Sequence, residues 1–460
     1  METFDALHAF RSFRDSFYEC LDRRADALFD LTDALLTAEV VPSPVHLSLQ
    51  ASHRRGWGSL YAALAHGRID AEALRDLLAR GPLAGAEDEQ PVYAVDVSVW
   101  PSEAGDAESS PERGFYYHPS RHSSGQPIVA GWAYQFVAQL NFVRESWTAP
   151  VDVARVHPSR DANEVAAGQV KALLGRSPEE GKTAPMFVFD AGYDPVKLQQ
   201  GLEGSSPCQI LVRLRAGRGF YGDPSLSEPP ANIGRPRRHG PKMKCNDPST
   251  WPDPDHEYAC EDGGYGAVRV RAWSELHPKV SAHEGRGSSR GPLPIVVGTL
   301  VLVEVERLPR GERRREPRVL WLWWDGPEGT EPDLGLLWRA YARRFDLLEH
   351  TFRFLKQTFG WSSPRFRHPE QADLWTWLVV AAFTQLRLAR SSVADMRLPW
   401  ERRYESGRLT PTRVHRVVSA LLGKLGTPAK PPKPCGRSPG RPKGRRSGRA
   451  KLYPAIKKSA

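Results

Sequence analysis

The chain has 460 residues, 40% of them apolar, which is enough for two or three domains with real cores. No stretch nears the roughly 18 uninterrupted apolar residues of a membrane-spanning helix, and Met1 to Phe13 mixes acids and aromatics where a secretory leader has a basic start and an apolar run. A cytoplasmic protein with no membrane partner is therefore expected. Five scattered cysteines without a CxxC pair favour free thiols over a disulfide framework or a zinc knuckle. The net charge of +10 is uneven, because Lys424 to Ala460 holds seven Lys, five Arg and no acid. Such charge, spaced by Pro and Gly, builds no core but condenses on a polyanion by releasing counterions. Nucleic acid is the expected partner, and residues 423–460 are expected to be a disordered basic tail.

From Phe4 to about Leu36 apolar residues recur at helical spacing, and Ile69 to Ala71 opens a second pattern through Leu74, Leu77 and Leu78. Residues 1–88 thus read as a helical N-terminal domain. His53, Arg54, Arg55 and Arg68 leave open whether it reads DNA or caps the next domain. The texture then changes to strands. Tyr93, Val95, Val97 and Val99 alternate with Ala94, Asp96, Ser98 and Trp100, the period of two of a strand. Further strands are expected at Ile128 to Phe136, Val151 to Val156, Met186 to Phe189 and Gln209 to Leu214, with a helix at Asn163 to Leu174. This order is a mixed α/β layer over 89–216. Residues 217–330 read as a β-rich insertion with basic loops, among them the run containing Arg237 and Arg238. Helices resume near Asp333, break near Pro364 and fill 331–422.

Asp96 lies in a strand otherwise built of Tyr, Val and Ala, where an ionised carboxylate is costly without a cation or donor beside it. Asp190 ends the run Met186 to Phe189, at the carboxyl edge of a strand, where loops leave room for a ligand. Capping of the following turn or helix is the structural alternative for Asp190. Tyr341, Arg344, Glu349 and Lys356 fall on one expected helix, and Glu349 and Lys356, seven apart, share a face. The plain alternative for Glu349 is a surface pair with Arg353 at i,i+4. His118 and His122 have the spacing of helical zinc ligands, but Pro119 argues for a loop. In the tail, Gly440-Arg441-Pro442-Lys443, followed by Arg445 and Arg446, resembles an AT-hook, with Pro439 where such a motif has Arg.

An aspartate in a first strand, a second after a fourth strand, a β-rich insertion, and a helix with Tyr341, Arg344, Glu349 and Lys356 together resemble the DDE transposases of bacterial insertion sequences, in the broad group of the IS4 and IS701 families. The segments around Asp96, His118 to His122, Gly131 to Tyr134, Asp190 to Tyr193 and Glu349 to Lys356 carry the likeness, over roughly Leu47 to Arg390. One departure stands out: four residues separate Arg344 from Glu349 where the family leaves three, which turns Arg344 about 100° around the helix.

The resemblance implies a ribonuclease-H-like catalytic core, with Asp96, Asp190 and Glu349 as catalytic metal ligands. It implies cleavage of phosphodiester bonds at the element's ends and strand transfer into target DNA. Three converging carboxylates repel one another unless divalent ions neutralise them, and oxygen ligands favour Mg²⁺ or Mn²⁺, two ions in all. Double-stranded DNA, as terminal inverted repeats and target, is the implied partner, with self-association in the DNA complex. Tyr341, Arg344, Lys356, His118, His122, Arg237, Arg238, Arg441, Lys443, Arg445 and Arg446 are the expected DNA contacts. Rival readings are a ribonuclease-H-like nuclease without strand transfer and a catalytically decayed transposase that only binds DNA. A glycosidase with paired carboxylates leaves the basic tail unexplained.

Overall fold

The computed structural model describes residues 2–81, 90–102, 107–118, 127–143, 145–176, 183–226, 238–279, 295–309, 318–404, 408–434, 440, 442–444, 448 and 451–457. Side chains at 2–5, 107 and 345–349 lie outside that description. The chain divides into two compact units. The first comprises Met1–Ala84, Val97–Asp161 and Asp346–Ala460; the second comprises Gly85–Asp96 and Ala162–Phe345.

The N-terminal part holds α1 (Glu2–Glu19), β1 (Leu21–Arg23), α2 (Ala25–Thr37), α3 (Pro44–Leu47), α4 (Trp57–His66), β2 (Arg68–Ile69) and α5 (Ala71–Ala79). The helical run expected from Phe4 to Leu36 is broken after Glu19. β1 pairs with β2, and Arg24 takes a left-handed conformation (φ 60°) before α2 begins. Asp70 caps α5 by accepting from the backbone N–H groups of Glu72 and Ala73 at 3.1 and 3.0 Å. The basic groups here are committed internally. His53 is buried, Arg54 and Arg55 both pair with the buried Asp30, and Arg68 pairs with Asp22 at 2.8 Å.

The α/β part follows as β3 (Val92–Pro101), β4 (Ala107–Glu108), β5 (Gly114–Tyr117), β6 (Ile128–Gln139), β7 (Ala149–Val156), α6 (Ala162–Arg176), β8 (Met186–Phe189), α7 (Pro195–Leu202) and β9 (Gln209–Leu214). The insertion adds β10 (Gly219–Tyr221), β11 (Lys242–Lys244), β12 (His256–Asp262), β13 (Gly266–Pro278), β14 (Gly298–Val305) and β15 (Val319–Asp325). Then come α8 (Leu334–Gln357), α9 (Pro369–Ala389), α10 (Pro411–Leu425) and β16 (Tyr453–Pro454). The fold is mixed α/β. Its connection order, β3, β6 and β7 and then α6–β8–α7–β9, is ribonuclease-H-like.

In the second unit, the first half of β3 runs parallel to β8, and β8 runs parallel to β9. The insertion continues this sheet from the free edge of β9: β15 joins β9, β14 joins β15 and β13 joins β14, all antiparallel. Trp321, Trp323 and Trp324 on β15 are buried, so they serve as core.

In the first unit, the second half of β3 pairs with β6, with Ser102 donating its N–H to the Ala130 carbonyl at 2.7 Å just beyond the strand. β5 and β7 pair antiparallel with β6. Gly131 is required here, because a Cβ on it would sit 2.2 Å from the Trp100 carbonyl oxygen. α9 is buried on nearly every side, and α1, α2, α10 and β7 pack around it. Arg14 of α1 locks three of these helices together. Its guanidinium donates to Asp33 of α2 at 2.6 and 3.0 Å and to Gln385 of α9 at 2.7 Å.

The tail departs locally from the expected disorder. Tyr453–Pro454 pairs antiparallel with β4, Arg113 donates to the Tyr453 carbonyl at 2.8 Å, and the Ile456 N–H donates to the Arg113 carbonyl at 2.6 Å. The physical reason lies in the end of the sequence, where Leu452, Tyr453 and Ile456 replace the Gly, Pro and Arg spacing of the rest.

Candidate active site

β3 and β8 pair in parallel with Val95 opposite Phe189 as the last registered pair, and Asp96 and Asp190 each follow it directly. Neighbouring strands lie about 4.8 Å apart, and residues on one rung of a parallel pair point to the same face. The two aspartates therefore lie near one another where β8 ends, and both charges act on the buried Tyr193 and Arg344. At an effective dielectric near 20, two such charges repel by about 3 kcal/mol, so they require a cation.

One cation is supplied by the chain. The Arg344 guanidinium of α8 meets Asp96 Oδ2 at 2.9 Å, and its side chain is only 6% exposed against 25% for the aspartate. Burial pulls the guanidinium's pKa down. The Asp96 carboxylate, followed by Tyr341 and Asp190, outweighs that and holds it above its ordinary value. Tyr341, one turn earlier, lies under the same guanidinium, 5.9 Å from its ring centroid, and is itself buried. Burial raises its hydroxyl, the charges of Arg344 and Arg213 oppose this, and Asp190 adds to it. Among the described residues, the buried Arg344 Nε has no hydrogen-bond partner.

Asp190 is not the cap of the following helix. Asp194 fills that position, accepting from Val196 and Lys197 at 3.0 and 3.2 Å and pairing with Arg218 at 3.0 Å. Asp190 uses Oδ1 to accept from the Gly192 N–H at 2.9 Å, which closes its own turn. Among the described residues its Oδ2 has no partner. The site thus presents partly exposed carboxylate oxygens where β8 ends, donors that fit a hard divalent cation such as Mg²⁺ or Mn²⁺.

Sequence reasoning assigned no role to Tyr193, which the fold buries beside this pair. Its ring packs on Phe189 at 5.1 Å, and burial, then the charges of Asp96 and Asp190, push its hydroxyl well above its ordinary value. The signal available was its place three residues after a strand-ending aspartate.

The structure brings Asp96, Asp190, Tyr341 and Arg344 together within the second unit. Glu349 lies five residues beyond Arg344 on the same helix α8, with its side chain outside the described residues. Among the described residues no group of three or more His, Cys, Asp or Glu is placed to hold a metal. Lys356, in the first unit, carries its ammonium over the Trp361 ring at 5.8 Å. In the same unit His118 follows β5, its N–H donating to the Pro127 carbonyl at 2.6 Å. Arg238 is half-buried beside His239, and Lys443 is exposed. His122, Arg237, Arg441, Arg445 and Arg446 lie outside the described residues. No described helix is long and apolar enough to cross a membrane.

Comparison with known proteins gives two similarities. The family model described as DDE superfamily endonuclease matches residues 16–279, more than half of the chain. The match contains Asp96 and Asp190 and ends before α8. Among solved structures, the chain is similar to the piggyBac transposase in a cryo-electron-microscopy synaptic complex with hairpin DNA. The identity is 12% and the TM-score 0.36, over 88% of this chain and 73% of that one. No curated protein matches the chain.

Proposed function

Because the chain belongs to the DDE superfamily endonucleases, we propose that it is the transposase of a bacterial insertion sequence, cutting phosphodiester bonds at the element's ends and joining them to target DNA. The observation that carries this reading is the placement of Asp96 and Asp190 directly after the last registered pair of the parallel strands β3 and β8. Asp96, Asp190 and Glu349 would hold two Mg²⁺ or Mn²⁺ ions. Such ions supply Lewis-acid activation of a water or 3′-hydroxyl and neutralise charge on the leaving oxygen.

Each residue of the chain has a distinct role in this scheme. Arg344 fixes the orientation of the Asp96 carboxylate and limits repulsion between the two aspartates. The Gly192 N–H pins one oxygen of Asp190, so that the other faces the ligand. Tyr341 orients the Arg344 guanidinium from below. Lys356, His118, His122, Arg237, Arg238 and the tail residues Arg441, Lys443, Arg445 and Arg446 would contact the DNA backbone or grooves, and two copies of the chain would meet on the DNA.

The experiment is cleavage and joining of labelled duplexes that carry the repeats flanking the gene. Asp96→Asn, Asp190→Asn and Glu349→Gln should each abolish cleavage in Mg²⁺ yet bind the duplex within about threefold of the parent, because each removes a ligand's charge and little volume. Equal loss of binding and cleavage in all three, or cleavage that persists in excess EDTA, would defeat the carboxylate-metal assignment. Cleavage without joining would reduce the protein to a nuclease of the same fold. Binding without cleavage by the parent would identify a decayed enzyme.

A further inference from the structure

The segment between α9 and α10 exposes an unusual set of side chains. Trp400 is 80% exposed and Met396 68%, with Leu398 and Tyr404 also open to solvent. Leaving a large indole in water forgoes about 2 kcal/mol of burial, so four large apolar side chains exposed within nine residues call for a partner.

Residues 395–404 are braced against α10. Glu401 accepts from both terminal nitrogens of Arg416, at 2.8 and 3.0 Å, and from the Leu398 N–H at 2.7 Å. Arg416 also donates to the Met396 carbonyl at 3.2 Å, and Arg397 to the Glu401 carbonyl at 3.2 Å. Arg413 of α10 pairs with Asp395 at 2.9 Å and lies over the Tyr404 ring at 4.5 Å. Among the described residues, the acids of this segment, Asp395 and Glu401, are therefore committed to α10. Arg397, Arg402 and Arg403 are exposed around Trp400, and among the described residues Arg402 and Arg403 form no ion pair.

We propose that this braced loop contacts DNA through residues other than the carboxylates and their partners: the Trp400 indole stacks on a nucleobase face while Arg397, Arg402 and Arg403 hold the flanking phosphates. Charge decides for DNA over a protein partner: among the described residues the acids of the segment are paired with α10 and its exposed charges are guanidinium groups, which suit phosphate and stack on bases. The proposal rests on DNA being the substrate, and is independent of which carboxylates bind metal.

The test uses the full chain in Ca²⁺, with fluorescein-labelled DNA read by anisotropy, as a 20-nucleotide single strand and as its duplex. Trp400→Ala should weaken binding by about fivefold to about a hundredfold, the range for loss of one base–aromatic stack. A larger loss on the single strand identifies an unpaired base, and a larger loss on the duplex identifies a wedge at a base step. Arg402→Ala with Arg403→Ala should lower the slope of log affinity against log salt by up to about two contacts. Trp57→Ala, at the similarly exposed Trp57, should bind as the parent does. Parent affinity in Trp400→Ala, or an equal loss in Trp57→Ala, would overturn the proposal. So would a change confined to sedimentation behaviour, which would make the patch a contact between copies. A parent protein that binds neither DNA would instead defeat the functional reading above.

Discussion

Replacing Arg344 with methionine keeps the apolar stem and removes the guanidinium that faces Asp96 at 2.9 Å. At an effective dielectric near 20, unit charges at that distance attract by about 6 kcal/mol, and much of this is offset by dehydration of the buried arginine. Breaking a buried pair typically costs about 3–5 kcal/mol. Asp96 is a quarter exposed, so water recovers part of its charge and the lower end, about 3 kcal/mol, is expected. The two units need not unfold together, so the assay is local: hydrogen exchange of backbone amides on β8 and the first half of β3. Those amides should exchange about a hundredfold faster in Arg344→Met. Adding Asp96→Asn should recover most of the loss, because the orphaned charge is gone. Mn²⁺ should protect Arg344→Met more than the parent, since it replaces the missing positive charge. Exchange within about threefold of the parent, or a loss undiminished in the double variant, would refute Arg344 as the counter-charge of this site.

Two further expectations concern α8 and β6. If Glu349 is the third ligand, Asp346→Asn should keep most cleavage activity and Glu349→Gln almost none, while Lys356→Ala lowers the salt dependence of end binding by about one phosphate contact. The reverse order of the acid variants would move the site to Asp346. Gly131→Ala should cost about 2–3 kcal/mol in denaturant unfolding, because its Cβ meets the Trp100 carbonyl at 2.2 Å and neither backbone can yield. Gly168→Ala, within α6 with nothing in reach of its Cβ, should be neutral or stabilise by up to about 1 kcal/mol. Similar effects from the two would show that the close approach at Gly131 is not tight.

The legible parts of the fold were those with an unambiguous period and real punctuation. β8 and β9 have the bounds read from Met186 to Phe189 and Gln209 to Leu214, and the break near Pro364 separates α8 from α9. The interruption at Cys20 to Arg24 was invisible because Leu21 and Leu28, seven apart, continue the helical spacing across it. β12 was missed because its residues face solvent on both sides, which leaves no alternation to read. β10 and β11 are three residues each and exist through pairing alone. At the site, the resemblance implied that Asp96 and Asp190 converge, but the register of β3 on β8 was hidden, since register depends on both strands at once. The burial of Arg344 against Asp96 was likewise hidden, because spacing along α8 reveals a face and not what it meets.

The placement of α9 has a consequence for biosynthesis. α1 and α2 are synthesised by residue 37, but the helix that packs against them spans Pro369–Ala389. At about 5–20 residues per second, that interval is roughly 15–70 s of translation. For most of its synthesis the nascent chain displays Phe10, Phe17, Leu28 and Leu35 without their final covering. A message truncated before codon 369 would yield a product that keeps Asp96 and Asp190 yet lacks the centre of its first unit, a substrate for chaperones and proteases and not a smaller enzyme.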